Sequence, residues 1–318
     1  MRAFAVFMMI QGHTIDALLS PESFNAANPW FHVWQFGRGL TAPIFLFGSG
    51  FAYVIANSRK SVEGRLPMSL VLRRLRWIGA LFLIGTLMHF PAPTFSLMAT
   101  ASPEKWSTFY QVDVLRLMAV TLLGLLLIFV LARNLRQVLL GSLAAIVIVL
   151  SLSPFMHGIQ WSRHLHEYFI GYLSMEQGSF FPVFPFSAYL FAGAAAAALY
   201  LQWKAKGTDA LLIRRFFLAG TLAIIVSVTW QLYVVEQGYD NASPFYFVLR
   251  LGSVLVLWAA IGTIIRSVRS VPAIIPVLGQ HQGRALHLPG GQFPLLCGAE
   301  GSKVVPGHVA RHREVRAG

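Results

Sequence analysis

Apolar residues fall in eight runs along the chain, near 3–20, 33–56, 76–91, 110–132, 138–156, 183–203, 211–234 and 245–266. A helix needs roughly 20 such residues to cross the hydrocarbon of a bilayer. Within that hydrocarbon a helix pairs its own backbone N–H and C=O groups, which have no water to bond. Most of the runs reach the required length, and the third is short. The pattern predicts an all-α polytopic membrane protein, a bundle of about eight to ten transmembrane helices.

Polar positions divide the connecting loops into two kinds. One set is basic: Arg59, Lys60, Arg65, Arg73, Arg74 and Arg76 in 57–76, Arg133 and Arg136 after the fourth run, Lys204, Lys206, Arg214 and Arg215 in 204–215, and Arg266 and Arg269 at the end. The loops between them, 21–32, 92–109, 157–182 and 235–244, are poor in basic residues and rich in Pro, Trp, Ser and acids. Cytoplasmic loops carry the excess of Lys and Arg. The alternation therefore predicts an N-terminus inside the bacterial cytoplasmic membrane, with the first helix running outward.

Composition sharpens this picture. Charged residues make up 12% of 318 and apolar ones 56%, whereas a soluble domain carries about 25% charged residues. The net charge of +13 belongs to these short basic loops and to anionic membrane lipid, so nucleic acid is not expected as a partner. One cysteine, Cys297, excludes an intramolecular disulfide framework and a cysteine-based metal cluster. No separate signal peptide precedes the first run, and the abrupt Met1-Arg2 start suggests a short extension before it.

After Gln280 the character changes. Residues 281–318 are rich in Gly, His and Arg and have no apolar period. We read a domain over 1–280 and an irregular segment over 281–318. That segment is either a disordered cytoplasmic tail or the product of a frameshift that replaces one or two final helices. Four of the ten histidines fall in it, which is why the histidine count does not argue for a metal.

Ionisable residues inside membrane helices are costly and mark function by default. Arg2 and His13 stand eleven positions apart in the first run. Eleven steps make about three helical turns, so both lie on one face, about 16 Å apart along the axis. Asp16 follows His13 by one turn and could hold its imidazole tautomer. Arg38, His89, Asp113, Arg116 and Arg250 join them. All except Arg2 fall in the outer half of their helices, and this suggests one polar cavity open to the outside. Each also has a plainer role. The arginines could snorkel to the interface, Asp113 and Arg116 could form an i,i+3 ion pair, and His89 and His13 could be interfacial or structural.

Gly37, Gly39, Gly48, Gly50 and Pro43 mark the second run, chiefly as sites of close helix packing. The loop 157–182 carries His157, Arg163, His164, His166, Glu167 and Glu176 among aromatics. It could fold over a cavity or lie solvated. Its HLHE segment lacks the spacing of a two-histidine helical zinc site, so no metal is expected.

Five blocks occur in order: MRAFAVFMMIQGHTIDALL, WQFGRGLTAPIFLFGSGFAY, YQVDVLRLMAV, FFPVFPFSAYLFAG and FVLRLGSVLVLWAAIG. In this order they resemble bacterial relatives of heparan-α-glucosaminide N-acetyltransferase, within the superfamily that includes the type-3 acyltransferases. The resemblance covers about residues 1–281, and the Arg2–His13 spacing matches the superfamily's first-helix motif. Similar proteins continue past a GxHS segment into a further helix. Here Gly279-Gln280-His281 leads into unrelated residues.

The resemblance implies transfer of an acyl group, with acetyl the expected one, from cytosolic acyl-CoA to a hydroxyl or amine of an extracytoplasmic glycan or small molecule. Arg2 would then meet the CoA phosphates. His13 would act as general base or be transiently acylated, with Asp16 orienting it. Arg38, Arg116 and Arg250 would bind substrate and stabilise the oxyanion, and Asp113 would position the acceptor. The same polar groups would also suit a multi-pass transporter or flippase, although no internal repeat supports one. An inactive or interaction membrane protein is the third reading. The pattern is compatible with an oligomer and does not require one.

Overall fold

A computed structural model describes residues 2–18, 29–61, 65–234 and 243–267. The chain is an integral membrane protein built of helices. They are α1 (Arg2–Leu18), α2 (Pro29–Gly39), α3 (Thr41–Ser58), α4 (Met68–Met88), α5 (Pro103–Tyr110), α6 (Val114–Leu131), α7 (Leu135–Gly158), α8 (Glu167–Leu173), α9 (Val183–Ala205), α10 (Asp209–Val234) and α11 (Pro244–Ser267). Each of the eight apolar runs is helical. The irregular segment 281–318 lies outside the described residues.

Among the described residues, six helical stretches are long and apolar enough to cross a membrane: Trp30–Ser58, Pro103–Leu131, Leu135–Gly158, Val183–Ala205, Asp209–Tyr233 and Pro244–Ser267. The other two runs fall outside that group for different reasons. α1 has only 17 residues, and α4 carries Arg73, Arg74 and Arg76.

α4 corrects a sequence expectation. Its run was expected over 76–91, but the helix begins at Met68 and has 21 residues. Arginine is a good helix former, so the basic stretch continues the helix instead of ending it. Arg74 Nε donates to Asn57 Oδ1 at 3.0 Å, and its guanidinium sits 5.3 Å from the centroid of the Tyr53 ring. Asn57 is fully buried, so this contact ties the basic end of α4 to the end of α3.

The centre of the bundle is α9, buried continuously from Pro185 to Ala198. Seven of those residues are alanines, five of them consecutive at Ala194–Ala198. Small side chains let neighbouring helices approach closely, which is how membrane helices gain packing where water supplies no driving force. α3 and α7 lie against α9, while α4 pairs with α6 and α10 with α11.

Two glycine pairs set the closest crossings. A methyl group at Gly50 would stand 1.9 Å from the Leu190 carbonyl oxygen, and one at Gly193 would stand 1.9 Å from that of Phe47. The α3–α9 crossing is thus reciprocal, glycine against carbonyl on both sides. Gly220 and Gly252 meet the same way between α10 and α11, with each hypothetical methyl 2.7 Å from the other's carbonyl oxygen.

α1 joins the bundle by a narrow stripe. Ala5 and Gly12, two turns apart, are buried, whereas Phe4, Phe7, Met9 and Ile10 are exposed. Ala5 packs into the cluster that holds Ile44 and Phe47 of α3, and Gly12 lies against Arg38 of α2.

Candidate functional site

Helices of alternating direction bring the end of α1, the end of α2, the end of α4 and the starts of α6 and α11 to one side of the bundle. This is the side opposite the basic loops. The candidate residues collect there in two groups.

The first group lies where α1, α2 and α11 meet. A methyl at Gly12 would meet Arg38 Nε at 3.1 Å, and one at Gly39 would meet Arg250 Nη2 at 3.0 Å. Two arginines from different helices therefore press against glycines one residue from other candidates: Gly12 precedes His13, and Gly39 follows Arg38. Arg38 also lies 5.6 Å from the centroid of the Trp34 ring. Arg250 stacks 3.9 Å from the centroid of Tyr246 and donates from Nη2 to the Tyr246 hydroxyl at 2.7 Å. It is only 8% exposed.

His13 stands beside this group on the exposed side of α1, a consequence of Gly12 facing inward. The backbone of α1 carries Arg2 and Asp16, but their side chains lie outside the described residues.

The second group lies where α4 meets α6. Asp113 is the N-cap of α6: its Oδ1 accepts the Arg116 backbone N–H at 2.8 Å, satisfying one of the helix's orphan donors. Its Oδ2 lies 3.7 Å from His89 Nδ1, and that nitrogen is also 3.3 Å from the Gly85 carbonyl oxygen. Arg116 is fully buried. Its Nη1 donates to the Phe109 carbonyl at 2.7 Å, and its guanidinium lies 5.5 Å from the centroid of the Phe109 ring. Its Nε stays 4.0 Å from Asp113 Oδ1. The i,i+3 relation expected from the sequence is therefore mainly a helix cap, with a long ion pair beside it.

Burial decides the snorkelling question for two of the arginines. Arg116 and Arg250 are held inside the bundle, where an arginine at an interface would extend its head to water. The candidate residues form two polar groups, and a run of aromatic rings leads from one to the other. Phe181 meets Phe186 (5.3 Å), Phe186 meets Tyr189 (6.3 Å), and Tyr189 meets Phe247 (4.4 Å) on the helix that carries Arg250. Phe181 in turn donates its N–H to the Val112 carbonyl, next to Asp113.

The loop 157–182 folds over the second group. α8 crosses α5 where Gly171 permits it, because a methyl there would come 2.7 Å from the Tyr110 carbonyl oxygen. The Ser179 hydroxyl accepts the Val112 N–H at 3.0 Å. Phe109, Tyr110, Tyr168 and Tyr172 form a continuous ring cluster. His166 caps α8 by accepting the Tyr168 N–H at 3.2 Å, and His157 Nε2 bonds to the Phe184 carbonyl at 2.8 Å.

Glu176 fastens the far side of this loop. It accepts from the Trp161 N–H (2.8 Å), the Ser162 N–H (3.3 Å) and the Ser162 hydroxyl (2.5 Å). These bonds, the hydroxyl's above all, hold its carboxyl below the ordinary glutamate range. A depressed folded-state pKa gives stability that is present above the unfolded value and is lost as pH falls through the folded one. Acidification below the usual glutamate range should therefore release the Trp161 turn. Trp161 fluorescence should report this, with the transition absent in Glu176→Gln.

The catalytic family of heparan-alpha-glucosaminide N-acetyltransferase matches residues 1–238. That is most of the chain, and it includes α1 to α10. The chain belongs to this family. The resemblance read from the five sequence blocks thus holds, and the family describes membrane acetyltransferases. No curated protein and no solved structure matches the chain.

Sequence reasoning missed several members of both groups. Tyr246 carried a usable signal, since it lies four residues before Arg250 and so shares its helix face. Trp34 bears the same relation to Arg38. Tyr172 carried none: it lies 56 positions from Arg116, in a loop with no period to orient it.

Proposed function

We propose that this chain moves an acetyl group from acyl-CoA, taken up at the basic face, to an amine or hydroxyl of a glycan or small molecule at the opposite face. The basic face is then cytoplasmic and residue 2 lies inside. The observation that carries the reading is the contact of Arg38 with Gly12, the glycine beside His13, together with that of Arg250 with Gly39, the residue after Arg38.

In this reading Arg2, at the start of α1, meets the phosphates of CoA by charge-assisted bonds. His13 accepts the proton of the incoming amine or hydroxyl. The acceptor's nitrogen or oxygen bonds to the thioester carbon, the carbon–sulfur bond breaks, and the imidazolium returns its proton to the departing thiolate. Charge that builds on the carbonyl oxygen during attack meets the guanidinium groups of Arg38 and Arg250, whose positions are fixed before the reaction. Asp16, one turn after His13, orients the imidazole. A transient acyl-imidazole is the covalent variant of the same chemistry.

The test uses the full chain purified in a neutral detergent, given acetyl-CoA labelled in the acetyl group and glucosamine as acceptor. Labelled N-acetylglucosamine and one free CoA thiol per transfer are expected. Glucosamine uptake into liposomes without thioester consumption would instead indicate a transporter.

A further inference from the structure

Three polar positions in the second group have no closed hydrogen bond among the described residues: Arg116 Nε, Arg116 Nη2 and the Tyr172 hydroxyl. All three are buried, and Tyr172 lies beside Arg116. Buried polar groups are normally satisfied, and a charged one left without a partner is costly. Arg116 is also the largest side chain that is fully buried. The two nitrogens of Arg116 that close no bond therefore call for an explanation.

The two free nitrogens form one edge of the guanidinium. Nη1, on the other edge, is committed to the Phe109 carbonyl. Nε and Nη2 make a fork whose parallel N–H bonds match the two oxygens of a carboxylate. Asp113 does not fill this fork. Its Oδ1 is held by the Arg116 backbone N–H at 2.8 Å and stays 4.0 Å from Nε. Its Oδ2 is turned toward His89. Moving the guanidinium onto Asp113 would pull Nη1 off the Phe109 carbonyl.

Tyr172 supplies a third donor. Burial, then the neighbouring Tyr168, pushes its phenol above the ordinary range, while Arg116, by its charge and by the approach of its guanidinium to the hydroxyl, acts in the opposite sense; neither neighbour closes a hydrogen bond with it. The hydroxyl keeps its proton at any physiological pH. The rings of Phe109 and Tyr168, 6.2 Å apart, stand beside the fork and offer an apolar wall to the body of a ligand.

We propose that the free edge of Arg116 and the Tyr172 hydroxyl form a recognition site for a carboxylate carried by the acceptor. The site selects acidic sugars or similar hydroxy acids over their neutral counterparts. Its purpose rests on the acyl-transfer reading, but its geometry does not.

The experiment measures binding, so it needs no turnover. The full chain in neutral detergent is titrated with glucuronate, glucose and glucose 6-sulfate at constant ionic strength, following intrinsic tyrosine and tryptophan fluorescence. Saturable binding of glucuronate at least about tenfold tighter than glucose is expected, as for a charge-assisted bidentate contact. Arg116→Gln should weaken it by at least about tenfold. Tyr172→Phe, which keeps the ring and its packing, should weaken it severalfold, so a folding failure of the arginine variant would not decide the matter.

Equal binding of glucuronate and glucose would show that the fork holds only water, and would overturn the site. So would unchanged glucuronate affinity in Tyr172→Phe. Tighter binding of the sulfate ester would overturn the carboxylate assignment. His13→Ala should bind glucuronate like the wild type. A failure of acetyl transfer with glucuronate binding intact would therefore count against the proposed function alone.

Discussion

Replacing His13 by alanine is expected to lower acetyl transfer by about 10²- to 10⁴-fold, the range that a positioned general acid–base group contributes. Without the imidazole, no base takes the proton from the attacking amine or hydroxyl, and the leaving thiolate has no proton donor beside it. The protein should remain folded, because His13 is exposed while its neighbour Gly12 makes the contact with the bundle. Thermal unfolding in detergent and binding of acetyl-CoA should match the wild type. His13→Gln should be as inactive as alanine, since an amide does not take the proton. Transfer at the wild-type rate in His13→Ala would remove the proposed chemistry, whatever the family.

The second large effect concerns stability. Alanine at Gly193 should destabilise the bundle by roughly 3 kcal/mol, the upper end of what overpacking typically costs. The added methyl would sit 1.9 Å from the Phe47 carbonyl oxygen. A backbone atom cannot swing aside as a side-chain tip can, so α3 and α9 must separate along their length. That separation loosens dispersion contacts throughout the most buried helix. Gly48 lies on α3 two residues before Gly50 but turned away, and a methyl there meets nothing within 4 Å. Gly48→Ala is therefore the internal control. Its unfolding midpoint should stay near the wild type while that of Gly193→Ala falls. If both variants unfold alike, the crossing is not the constraint described here.

The helices were legible because membrane helices announce themselves through length and polarity, which are local properties. All eight runs were found this way. The exception was the start of α4, where arginines read as a loop are held as helix by Asn57 and Tyr53. Those partners lie on another helix, and nothing in the local pattern points to them. The five ordered blocks were likewise enough to indicate the family.

The site was legible only in outline. Arg38, Arg116 and Arg250 were singled out because a cation in an apolar run is conspicuous. Whether each would snorkel or be enclosed depends on what stands over it. Phe109 and the folded loop 157–182 enclose Arg116, and Tyr246 and α2 enclose Arg250. The glycines of the second run looked alike in the sequence. The structure gives them different tasks: Gly39 faces Arg250, Gly50 faces a carbonyl, and Gly48 faces open space.

By itself the amino-acid order determined that this is a helical membrane protein of the acetyltransferase family, with basic loops on one side and ionisable residues toward the other. Transfer of each segment from water to lipid is set by that segment's own side chains. Only the tertiary structure decided that the ionisable residues form two groups linked by a run of aromatic rings, and that Arg116 keeps one edge free. Those outcomes depend on which helices touch, and a chain's local pattern fixes how far a helix extends without fixing what it packs against.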